Sequence, residues 1–401
     1  MTITAIIAEY NPFHLGHKYH IEQAKKLTNA DIILVIMSGN YVQRGEPAIF
    51  DKHLRSHIST NCGADIVIEL PYPYSCASAE YFADSAVSIL NKLGCIDYLC
   101  FGSECDDIDA LYKIADILTN ETARYKDALK EHLKSGLSYA KARHLALMSE
   151  LNDDKYNAIL SSPNNILGIE YIKSIKKLNS NIKPISIKRI ESSYHHEKGN
   201  NPLYSASSIR EEYLNSSFNN DDLSTISDEY NNNELYPVFL DDYSKLLLYK
   251  LIEYRNNPLD IFDISSDLSD RIINNVDNFT TFTEFIKIIK SKNTNYSSIS
   301  RALMNIILSQ TKESISQYKE HGYCDFARVL AINKNGKKIF KYINKDFKLL
   351  TKMSKAENEL NSLPEYNMEL YKKSLYADDL YRMIVKDKYN VMLPNEFQRK
   401  L

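Results

Sequence analysis

The sequence predicts an α/β protein whose first half forms a Rossmann-like, doubly wound parallel sheet and whose last part is a mostly α-helical domain. Short apolar segments alternate with helical segments through the first hundred or so residues, which is the pattern of βαβ units. A polar, asparagine-rich stretch at 216–236 ends this region. Beyond it the apolar residues recur at helical spacing, which favours helices.

The first four strands are expected at 2–8, 31–37, 64–71 and 97–104, and the helices between them at 16–27, 51–63 and 79–94. The second and third of these helices end on Gly63 and Gly94, and glycine is common just after a helix. Sheets of this kind bind ligands at the carboxyl ends of their strands. That edge is therefore where a functional site is expected.

Residues 107–180 have mainly helical periodicity, and "KPISIKR" at 183–189 is expected to be a last strand. "SASSIREEYL" at 205–214 is expected to be a helix, with Ser208 and Glu211 spaced as a capping box. The predicted domains are therefore residues 1–215 and residues 237–401, joined by the polar linker at 216–236.

Length and composition limit the class of protein. At 401 residues the chain exceeds one ordinary core. Its net charge of −3 excludes a uniformly basic surface, so any contact with nucleic acid needs a local patch. The first apolar run is too short for a signal peptide, and no segment is long enough to span a membrane. Six cysteines without a CxxC pair favour reduced thiols. These features predict a cytoplasmic protein without membrane contact.

Three of the ten histidines lie within "YNPFHLGHKYH", residues 10–20, directly after the first strand. A helix N-terminus at the carboxyl edge of a sheet binds anions through free backbone N–H groups and the helix dipole. His14 and His17 can flank a phosphate there, His20 lies one turn further along the helix, and Gly16 allows close backbone approach. The alternative is that these histidines are ordinary surface or core residues. Their grouping as H-x-G-H favours a phosphate site.

A second motif lies in "SASSIREEY", where Ser207, Ser208 and Arg210 follow the last predicted strand. The segment resembles a late serine- and arginine-containing element of the nucleotidylyltransferase superfamily, which caps a helix against the triphosphate. The alternative is a simple helix cap.

Both motifs resemble those of the nucleotidylyltransferase superfamily. The segments "AEYNPFHLGHKYH", "MSGNYVQRGEPA", "GADIVIELP", "FGSE", "SPNNILGIEY" and "RIESSYH" together resemble the bacterial tRNA(Met) cytidine acetate ligases, over about residues 1–215 and more weakly beyond. That family uses ATP, with Mg²⁺, and acetate to form acetyl-adenylate. It then acetylates N4 of the wobble cytidine (position 34) of elongator tRNA(Met).

The resemblance also implies particular site residues. Catalytic roles fall to His14, His17 and Arg210. Between the two asparagines of "SPNN", Asn164 is favoured over Asn165. The ATP site implied is Ile7, Ala8, Glu9, Tyr10, Asn11, Pro12, Phe13, His14, Leu15, Gly16, His17, Lys18, Tyr19, His20, Gly102, Asn164, Arg189, Ile190, Ser207 and Ser208. No metal-binding residues are assigned, and homo-oligomerisation is left open.

A lysine-rich segment, residues 334–355, interleaves basic and aromatic side chains. Lysines can follow phosphates while aromatic rings stack on bases, so Lys337, Lys338 and Lys341 are predicted to bind tRNA. An amphipathic helix with a solvated basic face is the alternative.

Two other functions remain at this point. One is a small-molecule adenylyltransferase, for which the long C-terminal part would be unexpected. The other is a tRNA-binding protein that keeps the nucleotide fold without catalysis. The intact H-x-G-H motif argues against the second.

Overall fold

The computed structural model describes residues 1–189, 205–215, 229–230, 233–258, 260–292, 294–399 and 401. Within these residues, one sheet contains seven strands and a short hairpin contains two. The strands are β1 Ile3–Ala8, β2 Ile32–Ser38, β3 Tyr41–Val42, β4 Glu46–Pro47, β5 Ile66–Leu70, β6 Tyr98–Ser103, β7 Lys183–Lys188, β8 Phe326–Ile332 and β9 Lys348–Leu350.

Helices cover both faces of the sheet and form most of the C-terminal part. They are α1 Leu15–Thr28, α2 Lys52–Asn61, α3 Ala79–Leu93, α4 Ile108–Thr119, α5 Ala123–Lys134, α6 Tyr139–Leu151, α7 Lys155–Ser161, α8 Pro163–Lys177, α9 Ala206–Leu214, α10 Ser244–Asn256, α11 Ser266–Asn275, α12 Phe282–Ile289, α13 Tyr296–Ile307, α14 Lys312–Glu320, α15 Met353–Leu360 and α16 Glu365–Tyr389.

The large sheet has the order β7–β6–β1–β2–β5–β8–β9. Its first five strands are parallel. The chain adds β2 and β5 on one side of β1 and then β6 and β7 on the other, so the winding reverses between β1 and β6. Such a reversal opens a crevice at the carboxyl ends of the strands, where ligands bind in α/β folds. The predicted doubly wound sheet is confirmed.

Both faces of the sheet are apolar because both are covered. Ile6, Val35 and Cys100 pack in the cluster with α1 and α2, whereas Ile7 and Ile36 pack in the cluster with α3, α4 and α8. This explains why the central strands are near-continuous apolar runs.

The C-terminal part is mostly helical, as predicted, but it also completes the sheet. Phe326–Ile332 enters the sheet as β8, antiparallel to β5, and β9 pairs with β8. Neither strand was predicted. The helices α10–α13 and α16 form a separate apolar cluster that also takes in Tyr41, Tyr72 and Cys76 from the first part of the chain. Much of the predicted linker at 216–236 lies outside the described residues.

Two further predictions concern the membrane and the cysteines. No helix in the described residues has the length and apolar character needed to cross a membrane. All six cysteines are free thiols, of which Cys76, Cys100 and Cys324 are buried and the others half-buried.

Candidate nucleotide and acyl-transfer site

The H-x-G-H segment forms the first turn of α1. His14 is the N-cap residue, and its Nδ1 accepts a hydrogen bond from the Gly16 N–H at 3.0 Å. The His17 Nδ1 accepts from the His14 backbone N–H at 3.2 Å. The two imidazoles stack with their centroids 3.8 Å apart. Because a neutral imidazole with an accepting Nδ1 carries its proton on Nε2, both rings have an Nε2–H available to donate.

Gly16 is required by the packing of this turn. A Cβ atom at this position would lie 2.8 Å from Cε1 of His14, which is closer than van der Waals contact allows. Any larger residue would push the His14 ring out of its capping position. The glycine of the motif therefore makes room for the histidine side chain.

The three histidines are held neutral. Burial, followed by the charges of Arg189 and Arg210, lowers the pKa of His14 to about 3. Burial and Arg189 lower the pKa of His20 to about 4. The pKa of His17 is well below its ordinary value because of burial, followed by the influence of His14, Arg189 and His20. Since phosphate would offset the arginine charges, bound anion would raise all three pKa values.

A cavity opens beside this turn at the carboxyl edge of the sheet, with an empty volume of about 830 Å³ including its mouth. It lies at the reversal of winding between β1 and β6. The residues lining it are Ile7, Ala8, Glu9, Tyr10, Asn11, His17, His20, Gln43, Phe82, Phe101, Gly102, Asn164, Leu167, Tyr171, Arg189, Ala206 and Arg210.

Two guanidinium groups give this cavity its positive charge. Arg210 Nη1 donates to the carbonyl oxygens of Asn11 at 2.6 Å and Ala206 at 3.2 Å. Arg189 Nη1 donates to Asn164 Oδ1 at 3.3 Å. Among the described residues neither arginine has a carboxylate in ion-pair contact, so both can compensate an anionic ligand.

The two asparagines of "SPNN" have different positions. Asn165 is buried, and its Oδ1 accepts from Ser103 Oγ at 2.8 Å and from the Glu104 N–H at 2.9 Å. It therefore fixes the turn after β6. Asn164 lines the cavity and contacts Arg189, so it is the asparagine placed to reach a ligand.

The second motif differs from the predicted capping box. The N-cap of α9 is Ser205, whose side chain accepts from the Ser208 N–H at 3.2 Å. The prediction that Ser208 caps the helix with Glu211 was wrong, because α9 begins three residues earlier than that spacing requires. Ser207 is exposed and Ser208 bonds back to Ser205. Arg210 is the member of this motif that reaches the cavity.

The cavity thus brings together part of the predicted site. Other predicted residues belong to the same segment or motif but do not line the cavity: Pro12, Phe13, His14, Leu15, Gly16, Lys18, Tyr19, Ser207 and Ser208. Ile190 lies outside the described residues. The lining also includes residues that were not predicted to be site residues, although all except Phe82 lie in the quoted segments: Gln43, Phe82, Phe101, Leu167, Tyr171 and Ala206.

Arg55 supports this edge of the sheet and was not predicted from the sequence. Its guanidinium is fully buried and donates to the carbonyl oxygens of Glu9 at 2.5 Å, Ser38 at 3.2 Å and Gly39. Its Nε donates to the carbonyl of Phe50 at 2.9 Å. Because Glu9 follows β1, and Ser38 and Gly39 lie at the end of β2, Arg55 joins the two strand ends at the edge of the sheet where the cavity lies.

Comparison with known proteins agrees with this geometry. A family model described as HIGH nucleotidyl transferase matches residues 1–395. The tRNA(Met) cytidine acetate ligase of Clostridium perfringens is 39% identical over 382 residues, covering 92% of this chain and 94% of that protein. The ligase of the same name from Thermoanaerobacter sp. is 40% identical over 397 residues, covering 96% of each. The chain belongs to the tRNA(Met) cytidine acetate ligase family.

This family member also resembles solved structures in its fold. Thermotoga maritima TmcAL bound with alpha-thio ATP superposes with a TM-score of 0.88 at 29% identity, covering 100% of this chain and 98% of that one. The apo form of the same protein gives a TM-score of 0.89, covering 99% of this chain and 98% of that one.

The lysines predicted to bind tRNA lie elsewhere on this family member. Lys337, Lys338 and Lys341 belong to a short 3-10 helix, Gly336–Lys341. Just before it, Asn335 Nδ2 donates to the carbonyl oxygen of Asp31 at 2.8 Å. Because Asp31 precedes β2, the lysines lie at the amino-terminal edge of the sheet, opposite the cavity.

Proposed function

We propose that this chain is an ATP-dependent tRNA(Met) cytidine acetate ligase. It activates acetate as acetyl-adenylate and transfers the acetyl group to N4 of the wobble cytidine of elongator tRNA(Met), giving N4-acetylcytidine. The observation that carries this proposal is the cavity at the carboxyl end of β1, where neutral histidines and two arginines without carboxylate partners among the described residues converge. The alpha-thio ATP bound by the Thermotoga maritima neighbour supports ATP as the nucleotide.

The phosphates of ATP bind at the first turn of α1. His17 lines the cavity and His14 stacks on it, so both Nε2–H groups can donate to phosphoryl oxygens. Arg210 and the helix N-terminus add positive charge at the same point. Gly102, Asn164 and Arg189, which line the cavity, contact the nucleoside. For Ile190, Ser207 and Ser208 a part in ATP binding rests on the family resemblance alone.

The first step joins two anions. Acetate is ionised at pH 7 and needs no base, but it must approach the α-phosphate of a highly charged nucleotide. The histidine and arginine donors offset this repulsion and stabilise the charge on the leaving pyrophosphate. Burial of these donors strengthens the effect, because water does not screen them.

The second step transfers the acetyl group. The exocyclic amine of cytosine is a weak nucleophile because its lone pair is delocalised into the ring. Holding it against the mixed anhydride is therefore the main catalytic contribution. A base in the anticodon loop can be turned out to enter a cavity, whereas a base in a paired stem cannot.

Mg²⁺ fits this site as part of the nucleotide complex. In the described part of the chain, no three His, Cys, Asp or Glu side chains are grouped to hold a metal ion. Mg²⁺ with ATP is usually held by the phosphates, its own waters and one or two carboxylates, and Glu9 is the carboxylate among the described lining residues. The ion would supply further charge compensation at the phosphates.

The two parts of the chain have different roles in this proposal. Residues 1–215 bind ATP and acetate, and residues 237–401 contribute to tRNA binding through Lys337, Lys338 and Lys341. The protein acts in the cytoplasm. Its acceptor is a polyanion that extends beyond the cavity, which gives a reason for the additional 165 or so residues.

One experiment tests this function. Purified protein is incubated with ATP, Mg²⁺ and labelled acetate, with and without total tRNA, and the RNA is digested to nucleosides. Labelled N4-acetylcytidine is expected only when ATP and tRNA are both present. Label entering from acetyl-CoA without ATP would overturn the proposal.

The two rival functions give different results in this assay. A small-molecule adenylyltransferase would consume ATP without labelling RNA. A non-catalytic tRNA-binding protein would retain tRNA without consuming ATP. The ligase names and the coverage of the relatives over 92% and 96% of this chain favour the ligase.

A further inference from the structure

The hairpin formed by β3 and β4 lies beside the opening of the cavity. Its turn consists of Gln43, Arg44 and Gly45. Gln43 lines the cavity, and its backbone N–H donates to Oε1 of Glu9 at 2.6 Å. Arg44, the next residue, is exposed and does not line the cavity. The side chain of Arg44 therefore lies at the rim of the cavity, on its outer side.

Helix α13 holds this turn in place. Gly45 has a φ of +79°, which favours glycine, and its N–H donates to the carbonyl oxygen of Val42 at 2.9 Å. Ser300 Oγ donates to the carbonyl oxygen of Gly45 at 2.7 Å. A Cβ atom on Gly45 would lie 2.3 Å from the backbone nitrogen of Arg301, so the turn packs directly on the helix. The backbone at Arg44 is thus held by its neighbours, whereas the side chain is exposed.

Two arginines at this hairpin differ in their partners. Arg301 Nε lies 3.1 Å from Asp263 Oδ2, and Arg301 Nη1 donates to the carbonyl oxygen of Gln43 at 3.4 Å. Arg44, in contrast, has no ion-pair or hydrogen-bond partner among the described residues and faces solvent. Arg301 therefore supports the hairpin, whereas the guanidinium of Arg44 is available to a ligand.

The charge of Arg44 adds to that of Arg210. Burial lowers the pKa of Arg210, and Arg44 acts in the same direction, whereas Glu46 and Glu9 act in the opposite direction. Within the described part of the chain, neither carboxylate is in ion-pair contact with either arginine. Two like charges without a contacting carboxylate favour the binding of an anion at this rim.

The position of Arg44 favours the phosphates of RNA over those of ATP. The phosphates of ATP are assigned to the first turn of α1, where His17 and Arg210 line the cavity. An acceptor nucleotide can place only its base inside, because the RNA strand continues on both sides of it. Its flanking phosphates therefore stay at the rim, within reach of an exposed side chain. The planar guanidinium suits them because it can donate to two oxygens of one phosphate.

Building on the proposed function, we propose that Arg44 binds the phosphate backbone of the tRNA beside the cytidine that enters the cavity. It is a positioning residue, which holds the strand at the rim and takes no part in the activation of acetate. A phosphate contact of this kind contributes affinity and fixes the register of the strand without reading the bases. This contact is separate from the lysine-rich segment, which lies at the opposite edge of the sheet.

Full-length protein is tested with two RNAs, elongator tRNA(Met) and its isolated anticodon stem–loop. In Arg44→Gln, the affinity for both RNAs is expected to fall by about tenfold, the value of one hydrogen bond to a charged group. The log–log dependence of affinity on salt should flatten by about 0.7, as for one phosphate of a single strand. Adenylate formation, followed by acetate-dependent exchange of labelled pyrophosphate into ATP, should stay near wild type.

Two further variants serve as controls. Arg44→Lys keeps the charge but loses the planar fork, so it should keep the wild-type salt slope with an intermediate affinity. Arg124→Gln, at an exposed position of α5, makes the same change in net charge as Arg44→Gln and should bind both RNAs like the wild type. Melting temperatures show whether each variant is folded.

Three results would overturn the inference. If Arg44→Gln lowers pyrophosphate exchange as much as RNA affinity, Arg44 serves ATP. If it weakens binding of tRNA but not of the stem–loop, its contact lies on another part of the tRNA. If it binds both RNAs as tightly as Arg124→Gln does, Arg44 is a solvated surface residue. Absence of acetate-dependent exchange in the wild-type protein would instead refute the proposed function, and binding of the stem–loop would still test the contact.

Discussion

The ammonium nitrogen of Lys52 lies 2.6 Å from Asp378 Oδ2, although the two residues are 326 positions apart. Lys52 begins α2 and Asp378 lies in the long helix α16. The other carboxylate oxygen of Asp378 accepts from Asn40 Nδ2 at 3.0 Å. Asn40 precedes the hairpin that carries Gln43, so the C-terminal helix supports one wall of the cavity.

This pair belongs to a buried charge network. Arg328 of β8 contacts Glu69 at 2.6 Å and Asp378 at 2.8 Å, and Lys52 also contacts Glu69 and Glu396. Burial and Arg328 disfavour the charge on Lys52, but the three carboxylates outweigh them and raise its pKa. Lys52 therefore keeps its charge inside the protein, whereas burial raises the pKa of Asp378 although Lys52 and Arg328 act in the opposite direction.

Replacing Asp378 by alanine should destabilise the protein by about 3–5 kcal/mol, because the buried ammonium of Lys52 and the buried guanidinium of Arg328 each lose a short contact with a carboxylate that water cannot replace. The free energy of unfolding in urea measures this. Asp379→Ala is the matched control, since the neighbouring Asp379 is exposed and pairs with Arg382 at the surface. Equal and small losses in both variants would mean that the network contributes no more than a surface ion pair.

Local sequence patterns predicted the parallel strands well. The first strand was expected at 2–8 and is Ile3–Ala8, and the last was expected at 183–189 and is Lys183–Lys188. Each is a short segment with β-branched residues next to a helical segment, so its identity depends on nearby residues. By contrast, β8 is set by pairing Ile66 with Ile332. The segment FARVLAI is itself a short apolar run that is compatible with a buried strand. It lies among helical segments, and its place beside β5 depends on residues far away in the chain.

Some residues of the candidate site can also be recognised from the local sequence, whereas others can be recognised only from the fold. His14 and His17 are separated by one turn and form a recognisable motif. Arg55 acts only on backbone carbonyls, which any residues could supply, so the sequence carries no sign of its role. Gln43 and Tyr171 line the same cavity only because the hairpin and α8 converge at one edge of the sheet. Their part in the site requires the fold.

Replacing His17 by alanine should lower acetate-dependent pyrophosphate exchange by about 10²-fold, because the variant has one donor fewer for the transition-state charge. His17→Gln fills more of the volume and keeps a donor, so it should retain more activity. His57→Ala, at an exposed position of α2, is the control for removal of an imidazole. Near-normal exchange in His17→Ala, with an unchanged melting temperature, would return His17 to an ordinary core role.

ATP binding should take up protons. The pKa values of His14, about 3, and His20, about 4, are low in the free protein because of burial and Arg189. Bound phosphates raise them toward the ordinary value near 6.5. The histidines therefore take up protons when ATP binds at a pH between their pKa values in the free protein and those in the complex. The affinity for ATP rises as the pH falls through this range.

Isothermal titration calorimetry at pH 6, in two buffers that differ in ionisation enthalpy, measures this uptake. The double variant His14→Asn, His20→Asn removes the histidine contribution and leaves protonation of ATP itself. The same proton uptake in both proteins would show that the histidines remain neutral in the complex.

The lysine-rich segment lies at the edge of the sheet opposite the cavity. Phe340 is 41% exposed on the same short helix as Lys337, Lys338 and Lys341. A strand of six residues spans about 20 Å, and this is roughly the distance from the cavity edge to the opposite edge where the lysines lie. If these lysines bind a tRNA whose anticodon loop is in the cavity, they contact another part of that tRNA.

Changing Lys337, Lys338 and Lys341 to glutamate should weaken tRNA binding without changing acetate-dependent pyrophosphate exchange, because only tRNA is large enough to reach both edges. The log–log dependence of affinity on salt should flatten by about 0.7–0.9 for every phosphate that the variant no longer neutralises. Glutamates at Lys126, Lys130 and Lys134, on the exposed face of α5, make the same change in net charge elsewhere and control for it. If both triple variants bind tRNA with the wild-type affinity and salt slope, the segment is a solvated surface and the RNA docks at the cavity edge alone.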